Sequence, residues 1–366
     1  MKQTSFWEQK TFHQPYDLII IGAGIVGLSS ALFYRRQHPD ARILVLDKGP
    51  IPEGASTRNA GFACTGSITE HVADIEKEAK KNIKKRLKMR YEGLHLLRKT
   101  LGDKAIGYDN CGGFEIFTED AKYEEACSYI GSFNRWMSNL AGEKMVYKPD
   151  TLNGYPAIYN RLEGAIHPGR MMQALIANVS QHGITIRWNT EVQKIDGNGS
   201  VNLDGGTAIE GDQILVACNG FTRRLMPEIL VRPARGYIMV SEEWPDIPWK
   251  GTFNFDRGYI YFRNIGNRLL IGGGRNRAIE DEEQDEFGTN ETVKTYLQDF
   301  AREVLHLPQN LSFEYEWSGI MGFTSTKTPV VKRLDDDRVV AAGLSGMGIA
   351  IGMKVGKEAA RILIQK

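Results

Sequence analysis

Three glycines and one aspartate have the spacing of a nucleotide-binding turn. Gly22, Gly24 and Gly27 form a G-x-G-x-x-G pattern, and Asp47 follows the last glycine by 20 residues. In such a pattern the first glycine permits a tight turn, the second lets the backbone approach a pyrophosphate, and the third lets a helix pack close to a strand. A carboxylate at the position of Asp47 can accept hydrogen bonds from ribose hydroxyls. We therefore expect this segment to bind a dinucleotide.

The elements around the glycines support this interpretation. Residues 16–21 and 41–46 are continuous apolar runs, which are typical of strands buried on both faces. Residues 28–36 between them have a helical pattern, so the segment is a β-α-β unit. The start of that helix offers unpaired N–H groups and the positive end of its dipole to phosphate.

A second segment, Gly54 to Ala63, distinguishes FAD from NAD as the dinucleotide. It is rich in small residues, so a flat ring system can pass close to its backbone. Ser56, Arg58 and Asn59 supply donors for phosphate and ring heteroatoms. A plain NAD dehydrogenase gives no reason for this segment here.

Composition and charge exclude several other classes. The chain has 366 residues with 42% hydrophobic and 25% charged residues, which indicates a globular protein of two intertwined domains. The formal net charge of +1 gives no reason to expect nucleic acid as a partner. No cysteine pair or histidine has metal-ligand spacing, so we expect no metal and reduced thiols. Without a signal core or a long apolar run, we expect a cytoplasmic protein with no membrane span.

The rest of the chain mixes helices and strands. Residues 71–101 have a helical period with basic outer faces, which predicts one long solvated helix. The acidic stretch Glu280 to Glu286 predicts an exposed turn or helix start. Alternating strands dominate residues 231–274. Residues 339–342 form a strand that leads into a glycine-rich turn and a final helix.

These features together resemble the D-amino-acid oxidase family of flavoproteins, which includes glycine, sarcosine and gamma-glutamylputrescine oxidases. The last of these branches is the nearest in character. The resemblance extends over nearly the whole chain. Besides Gly54 to Ala63, it rests on four motifs, which are Gly164 to Arg170, Ile214 to Phe221, Arg232 to Gly236 and Leu344 to Ile349.

The resemblance implies an α/β fold with a Rossmann-type FAD-binding domain. A second, α+β domain would be built on a largely antiparallel sheet and would bind the substrate. The FAD-binding domain would be discontinuous and comprise residues 16–75, 155–230 and 325–366. The substrate-binding domain would comprise residues 76–154 and 231–324.

The resemblance also implies how FAD would be held. The fingerprint glycines and Asp47 would bind the ADP half, Ser56 to Gly61 would line the isoalloxazine, and Val192 would touch the adenine side through its backbone. The turn at Gly346 to Ile349 would point a helix amino terminus at flavin N1 and the C2 carbonyl, where reduced flavin is negative. The full expected cofactor set is Gly22, Gly24, Ile25, Val26, Gly27, Asp47, Lys48, Ser56, Thr57, Arg58, Asn59, Ala60, Gly61, Val192, Gly220, Gly319, Gly346, Met347, Gly348 and Ile349.

We expect FAD to be noncovalent and to oxidise an amine or amino acid. Some relatives attach flavin covalently through a cysteine or a histidine. Of the matching segments here, Trp317 to Phe323 contains no cysteine and Gly54 to Ala63 contains no histidine. The family reaction would be hydride transfer from the carbon next to nitrogen to flavin N5, followed by hydrolysis of the imine. Oxygen or another acceptor would then take the electrons.

The chain departs from its relatives at three substrate-site positions. Met321 stands where the family's carboxylate-binding arginine would be, and Ala350 stands where sarcosine oxidase has a lysine. Leu270 falls near the lysine that activates oxygen in that enzyme. These departures favour a larger amine, or a carboxylate held by another residue, and they favour a dehydrogenase with oxygen as a poor acceptor.

The substrate-pocket candidates are therefore few. Arg263 is the candidate for binding a carboxylate in bidentate fashion, with a structural arginine as the alternative. Tyr259, Tyr261 and Trp317 could form an aromatic wall, although sheet packing explains each equally well. Met321 and Met347 complete the set.

Other functions are compatible with the same residues. A flavin enzyme acting on a 2-hydroxy acid or a polyol phosphate would share the fold, because fold does not fix function. A flavin-binding subunit of a larger complex is another alternative. A tRNA-modifying enzyme is disfavoured by the near-neutral charge.

Overall fold

The computed structural model describes residues 5–11, 14–197 and 199–365. Two large sheets organise this part of the chain, and two small sheets of three and two strands accompany them. The α-helices are α1 Phe6–Thr11, α2 Ile25–Gln37, α3 Ala55–Arg58, α4 Ile68–Ile75, α5 Lys80–Leu101, α6 Asp103–Ile106, α7 Asp120–Ala141, α8 Pro168–Gln181, α9 Thr222–Leu225, α10 Glu291–Glu303 and α11 Gly348–Ile364. Short 3-10 helices span Asn219–Phe221 and Arg275–Arg277.

The strands are β1 Leu18–Ile21, β2 Ile43–Leu46, β3 Phe62–Ala63, β4 Gly113–Ile116, β5 Tyr147–Leu152, β6 Tyr155–Asn160, β7 Gly164–Ala165, β8 Thr185–Arg187, β9 Val192–Ile195, β10 Ser200–Leu203, β11 Ala208–Glu210, β12 Ile214–Val216, β13 Arg232–Glu243, β14 Thr252–Phe255, β15 Ile260–Ile265, β16 Arg268–Gly273, β17 Phe313–Phe323, β18 Val330–Arg333 and β19 Arg338–Ala342.

The first large sheet is the six-stranded sheet β18-β19-β12-β1-β2-β8. Its strands are parallel except for β18, which runs antiparallel to β19 at one edge. All four residues of β1 are buried, as expected for a strand covered on both faces. Helices α2, α8 and α11 cover one face, and Gly356 allows α11 to approach α2 closely, since a Cβ there would lie 2.8 Å from the Val26 carbonyl oxygen.

The second large sheet is the eight-stranded sheet β17-β13-β16-β15-β14-β4-β6-β5. It is antiparallel throughout except for the parallel pair β14 and β4. Helix α10 packs against it over a core that contains Trp249, Phe253 and Phe262. The predicted fold class, a Rossmann-type sheet joined to a largely antiparallel one, is confirmed.

Strands of the six-stranded sheet come from residues 18–46, 185–216 and 330–342. The precise limits of the two predicted domains stay a prediction. No helix within the described ranges is long and apolar enough to cross a membrane.

One local prediction was wrong, and a second was right except at one residue. Residues 71–101 form two helices, because Ser67 caps α4 through the Glu70 N–H and the chain turns before α5 begins at Lys80. The acidic stretch is not simply exposed, since Glu282 is buried and accepts two hydrogen bonds from Arg235 at 2.7 and 2.9 Å. The spacing of apolar residues cannot predict the helix break, which depends on a cap. It also cannot predict the burial of Glu282, which depends on a partner distant in sequence.

Candidate functional site

A cavity of about 490 Å³ lies between the carboxyl ends of the parallel strands and one face of the eight-stranded sheet. This volume is within the range of small-molecule and cofactor sites. We call its two sides the turn wall and the sheet wall. The turn wall comprises Gly22, Gly24, Asp47, Ser56, Arg58, Asn219, Met347 and Gly348, and the sheet wall comprises Ile238, Tyr259, Tyr261, Arg275 and Met321.

Glycine is required at two positions where β1 turns into α2. Gly22 has a φ of +107°, and a Cβ there would lie 2.8 Å from the Ala217 carbonyl oxygen. A Cβ on Gly27 would lie 2.0 Å from the Gly22 carbonyl oxygen. The first helical turn can therefore approach the strand end only without side chains, and it leaves the backbone of Gly22 and Gly24 on the cavity surface.

Asp47 holds this turn in place from the end of β2. Its Oδ2 accepts a hydrogen bond from the Ala23 N–H at 2.8 Å, and its Oδ1 accepts one from the Gly49 N–H at 3.0 Å. Burial raises the pKa of this carboxyl, while the two backbone donors act in the opposite direction. The carboxylate also lines the cavity, so it can accept further hydrogen bonds from ligand hydroxyls.

The segment from Gly54 to Ala63 is attached to both walls. Ser56 Oγ accepts a hydrogen bond from the Ile25 N–H at 2.9 Å, and Arg58 Nη1 donates to the Ser318 carbonyl oxygen at 3.0 Å. Asn59 donates to the carbonyl oxygens of Ala55 and Ser56 and accepts from the Gly61 N–H. The amide of Asn59 thus shapes the segment, whereas the backbone and Ser56 remain at the cavity surface.

The amino terminus of α11 also reaches the cavity. Gly346 has a φ of +81°, and Met347, Gly348 and Ile349 line the cavity. Asn219 Oδ1 holds the preceding turn by accepting from the N–H groups of Gly343 and Leu344 at 3.1 and 3.3 Å. The positive end of the helix dipole can therefore stabilise negative charge in the cavity.

On the sheet wall, Tyr261 presents a hydroxyl that makes no hydrogen bond to any described residue. Burial raises the pKa of this phenol. Its ring meets Phe62 edge to face at 5.6 Å between centroids. Gly272 makes room for the ring, because a Cβ there would lie 2.6 Å from Tyr261. A neutral hydroxyl in a mostly apolar wall is a hydrogen-bond donor for a ligand.

Arg275 lines the same wall immediately after β16. Its guanidinium carbon lies 4.7 Å from the centroid of the Phe323 ring. Within the described ranges its guanidinium makes no hydrogen bond and no ion pair. Burial lowers the pKa of Arg275 from its ordinary value. The sequence prediction missed this residue, although it directly follows the run Gly272 to Gly274, which spans the end of β16.

Three charged residues line another part of the cavity. Lys327 Nζ lies 2.8 Å from Asp74 and 3.2 Å from Glu70. Burial alone would raise the pKa of Glu70, but Arg90 and Lys327 hold it well below its ordinary value. The sequence prediction missed this cluster as well, because Lys327 is far from α4 along the chain.

Most predicted cofactor residues lie at the cavity. Those that line it are Gly22, Gly24, Ile25, Val26, Asp47, Lys48, Ser56, Arg58, Asn59, Ala60, Val192, Gly319, Gly346, Met347, Gly348 and Ile349. Gly27, Thr57, Gly61 and Gly220 do not line it. Gly61 and Gly220 instead allow close backbone packing, since a Cβ would lie 2.4 Å from the Ile166 carbonyl oxygen and 2.5 Å from the Met321 carbonyl oxygen, respectively. Thr57 Oγ1 is buried without a hydrogen-bond partner among the described residues.

The structure places two of the substrate-site candidates outside the cavity lining, as the structural alternatives for both residues predicted. Arg263 does not line the cavity, because its Nη1 donates to the carbonyl oxygens of Gly61 and Ile166 at 2.8 and 2.9 Å. It shares a face of β15 with Tyr261 but lies two residues further on, where it contacts the backbone of the segment from Gly54 to Ala63. Trp317 is also outside the cavity lining, and its Nε1 donates to the Arg58 carbonyl oxygen at 2.9 Å. Tyr259, Tyr261, Met321 and Met347 do line it.

The turn wall fits FAD. Two glycines leave backbone where a Cβ would collide, an aspartate ends the second parallel strand, and a long helix begins at the cavity. These are the features that hold a pyrophosphate, a ribose and a negatively charged ring. Among the described residues, no group of histidines, cysteines and carboxylates could hold a metal ion.

Comparison with known proteins agrees with this geometry. Residues 17–362 match the family described as FAD dependent oxidoreductase (DAO). The chain is 24% identical to gamma-glutamylputrescine oxidoreductase of Escherichia coli (strain K12), over 95% of this chain and 83% of that protein. It is 24% identical to L-2-hydroxyglutarate dehydrogenase of the same strain, over 62% of this chain and 55% of that protein. Glycine oxidase from Geobacillus kaustophilus has a similar structure, with a TM-score of 0.76, 20% identity and coverage of 96% of this chain and 95% of that one.

Proposed function

This chain belongs to the DAO family of FAD dependent oxidoreductases, and on that premise we propose that it oxidises the carbon–nitrogen bond of an amine or amino acid. The observation that carries the proposal is the chemistry of the sheet wall, which presents a free tyrosine hydroxyl and an arginine but no base. Within the described ranges no histidine lines the cavity, and none of the carboxylates that line it belongs to a strand of the eight-stranded sheet.

The missing base favours an amine over an alcohol as the group that is oxidised. An alcohol must lose its hydroxyl proton as it is oxidised, so its oxidation profits from a base within hydrogen-bond reach. A neutral amine already carries the lone pair that its oxidation needs. Tyr261 is a poor base, because burial favours its neutral form. Glu70 is a weak base, because Arg90 and Lys327 stabilise its ionised form.

When bound, FAD supplies the acceptor for the hydride that leaves the carbon next to nitrogen, and water then hydrolyses the imine. The chain's own residues position the substrate and control its surroundings. Tyr261 donates a hydrogen bond to a substrate heteroatom, and Ile238 and Met321 keep the sheet wall apolar. The amino terminus of α11 stabilises negative charge that develops in the cavity.

The proposal includes noncovalent FAD. Cys64 and Cys218 both line the cavity, but burial raises the pKa of each thiol, to about 12 for Cys218. A thiol is a poor nucleophile, since the thiolate is the reactive form. Denaturing the protein in acid should therefore release all of the flavin into the supernatant.

The proposal also includes an electron acceptor other than oxygen. The position that the resemblance matches to an oxygen-activating lysine is Leu270. Its apolar side chain is buried outside the cavity lining, so it supplies no cation there. Lys327, which does line the cavity, is paired with Glu70 and Asp74. A paired ammonium is less available to stabilise the superoxide that forms when oxygen takes an electron, and Arg275, which has no partner in the described ranges, would be occupied by a substrate carboxylate.

Anaerobic loss of the visible absorption of bound flavin tests this function. The panel should contain D- and L-amino acids, N-methyl amino acids, polyamines with their acyl derivatives, and 2-hydroxy acids. Rapid loss with one amine class, and slow recovery in air, is the expected result. If no amine of the panel reduces the visible absorption while flavin remains bound, the proposal is contradicted.

Oxidation of a 2-hydroxy acid is the second candidate. It is favoured by the similarity to L-2-hydroxyglutarate dehydrogenase and by the unpaired arginine, which would bind a carboxylate in either case. The lack of a base at the sheet wall counts against it. Absorption loss with 2-hydroxy acids alone would establish this candidate in place of the first.

A further inference from the structure

We propose that Arg275 binds a carboxylate of the substrate, so that the substrate is an amine that also bears a carboxylic acid. The part of this proposal that concerns the amine rests on the proposed function, whereas the carboxylate part rests on Arg275 alone. Neither Met321 nor Arg263, the positions to which the sequence pointed, offers a cation to the cavity.

The backbone before Arg275 directs it toward the cavity. Strand β16 ends at Gly273 with a φ of +110°, and Gly274 follows with a φ of +71°. A side chain at Gly273 would collide with the Tyr259 carbonyl oxygen at 2.0 Å. These two glycines therefore permit a sharp turn that brings the next residue, Arg275, to the cavity surface.

Neighbouring arginines on strands β13 and β15 have hydrogen-bond or ion-pair partners. Arg235 pairs with Glu282 at 2.7 Å, and Arg232 pairs with Glu283 at 3.3 Å. Arg263 donates to backbone carbonyl oxygens. Arg275 has no such partner in the described part of the chain, although it is half-buried. A desolvated, unpaired cation is costly, and burial accordingly lowers the pKa of this group.

The packing of Arg275 leaves its hydrogen-bonding edge available. The guanidinium carbon lies over the Phe323 ring, 4.7 Å from its centroid. Within the described ranges none of the guanidinium N–H groups donates a hydrogen bond, so these donors are available to a ligand. Tyr259 lines the cavity nearby, and its hydroxyl makes no hydrogen bond within the described ranges. A fixed fork of donors beside a free hydroxyl matches the two oxygens of a carboxylate.

The test uses binding to the FAD-containing protein, so it does not require turnover. Benzoate and propionate are titrated against the matching amides, benzamide and propionamide, while the visible spectrum of bound flavin is followed. We expect the acids to perturb the spectrum at lower concentration than the amides. In Arg275→Met the dissociation constant for the acids should rise about tenfold to a hundredfold, with that for the amides unchanged. In Arg275→Lys part of the affinity should remain, because charge is kept and the fork is lost.

Arg277→Met is the matched control, because this exposed arginine lies in the same turn over the Tyr296 ring and does not line the cavity. It should bind the acids as the wild type does. Flavin content and melting temperature should be equal in all variants. Equal affinity of the wild type for acids and amides would overturn the proposal. So would loss of acid binding in Arg257→Met, at the exposed cavity mouth, without loss in Arg275→Met.

The outcome separates this inference from the proposed function. If acids bind through Arg275 but only 2-hydroxy acids reduce the flavin, the carboxylate assignment stands and amine oxidation fails. If amines reduce the flavin equally well with and without a carboxylate, amine oxidation stands and the assignment of Arg275 fails.

Discussion

The turn wall and the sheet wall face the same cavity but are built on different principles. The turn wall is made of backbone, and its chemistry depends on places where a side chain cannot fit, such as Gly22. The sheet wall is made of side chains, and its chemistry depends on groups that have no partner among the described residues, namely the Tyr261 hydroxyl and the Arg275 guanidinium. A backbone site tolerates little change and serves one ligand, whereas a side-chain site can be altered one residue at a time. The difference explains how one cofactor fold can serve many substrates.

Substituting Gly27, which packs directly behind the turn wall at Gly22, should have the largest effect. In Gly27→Ala the new Cβ would lie 2.0 Å from the Gly22 carbonyl oxygen, so the turn must shift. We expect the purified protein to contain little or no flavin, as measured by absorption at saturating FAD. Gly197→Ala is the control, because a Cβ there meets nothing within 4 Å and Gly197 does not line the cavity. Full flavin content in Gly27→Ala would show that the turn wall is less constrained than its packing indicates.

The two arginines of the predicted substrate domain should differ in their effect on stability. Arg263→Met removes hydrogen bonds to four carbonyl oxygens and should lower the free energy of unfolding by about 2 kcal/mol. Arg275→Met removes an unpaired cation and should not lower it. Urea unfolding of the FAD-saturated proteins measures both values. Equal losses in the two variants would remove the distinction between a structural and a ligand-binding arginine.

Tyr261→Phe should weaken substrate binding without affecting the cofactor. The hydroxyl has no partner in the described part of the chain, so its loss should raise the substrate concentration for half-maximal flavin reduction about two- to tenfold. Flavin content should stay unchanged. Tyr315→Phe, at an exposed position of β17, serves as the control. An unchanged concentration dependence in Tyr261→Phe would show that the hydroxyl does not contact the substrate.

The smallest expected effect is the pH dependence that Glu163 gives to the free energy of unfolding. Burial raises the pKa of Glu163 from 4.5 to about 7, although its Oε1 accepts from the N–H groups of Thr65 and Gly66 at 3.0 Å. The folded chain therefore holds this proton more tightly than the unfolded chain does. The contribution of Glu163 to stability falls as the pH rises from 4.5 to 7 and is level above that range.

Glu163→Gln should remove this dependence, so the variant should gain about 1 kcal/mol relative to the wild type between pH 5 and pH 6. The free energy of unfolding at each pH measures the gain. The comparison with wild type is essential, because His71, whose pKa burial lowers to about 4, changes stability in the opposite direction. Glu303→Gln, on the exposed side of α10, should show no such gain. If the free energies of unfolding of Glu163→Gln and the wild type differ by the same amount at every pH in this range, the raised pKa of Glu163 is contradicted.

The sequence predicted the turn wall well because its determinants are local. The glycine spacing, Asp47 and the segment from Gly54 lie within 42 residues of one another along the chain, from 22 to 63. The parallel and antiparallel sheets followed from the same resemblance. The α4–α5 break and the burial of Glu282 could not be predicted from periodicity, since the first depends on a cap and the second on Arg235.

The sheet wall could not be predicted in the same way. Arg263 and Arg275 are both arginines at a strand of the same hairpin, and only the fold shows which of them meets carbonyl oxygens and which meets the cavity. The pairing of Lys327 with α4 joins residues more than 250 positions apart. The contacts that decide which side chains reach the cavity are therefore non-local.

The most direct test of the account is a comparison of three matched compounds against the bound flavin without air. They are an amino acid, its 2-hydroxy acid counterpart and the amine that lacks the carboxylate, chosen from the panel class that reduces the flavin fastest. We predict that the amino acid abolishes the visible absorption rapidly with release of one equivalent of ammonia or amine product per flavin, that the decarboxylated amine reacts more slowly, and that the hydroxy acid does not react. Reduction by the hydroxy acid but not by the amino acid would contradict the account.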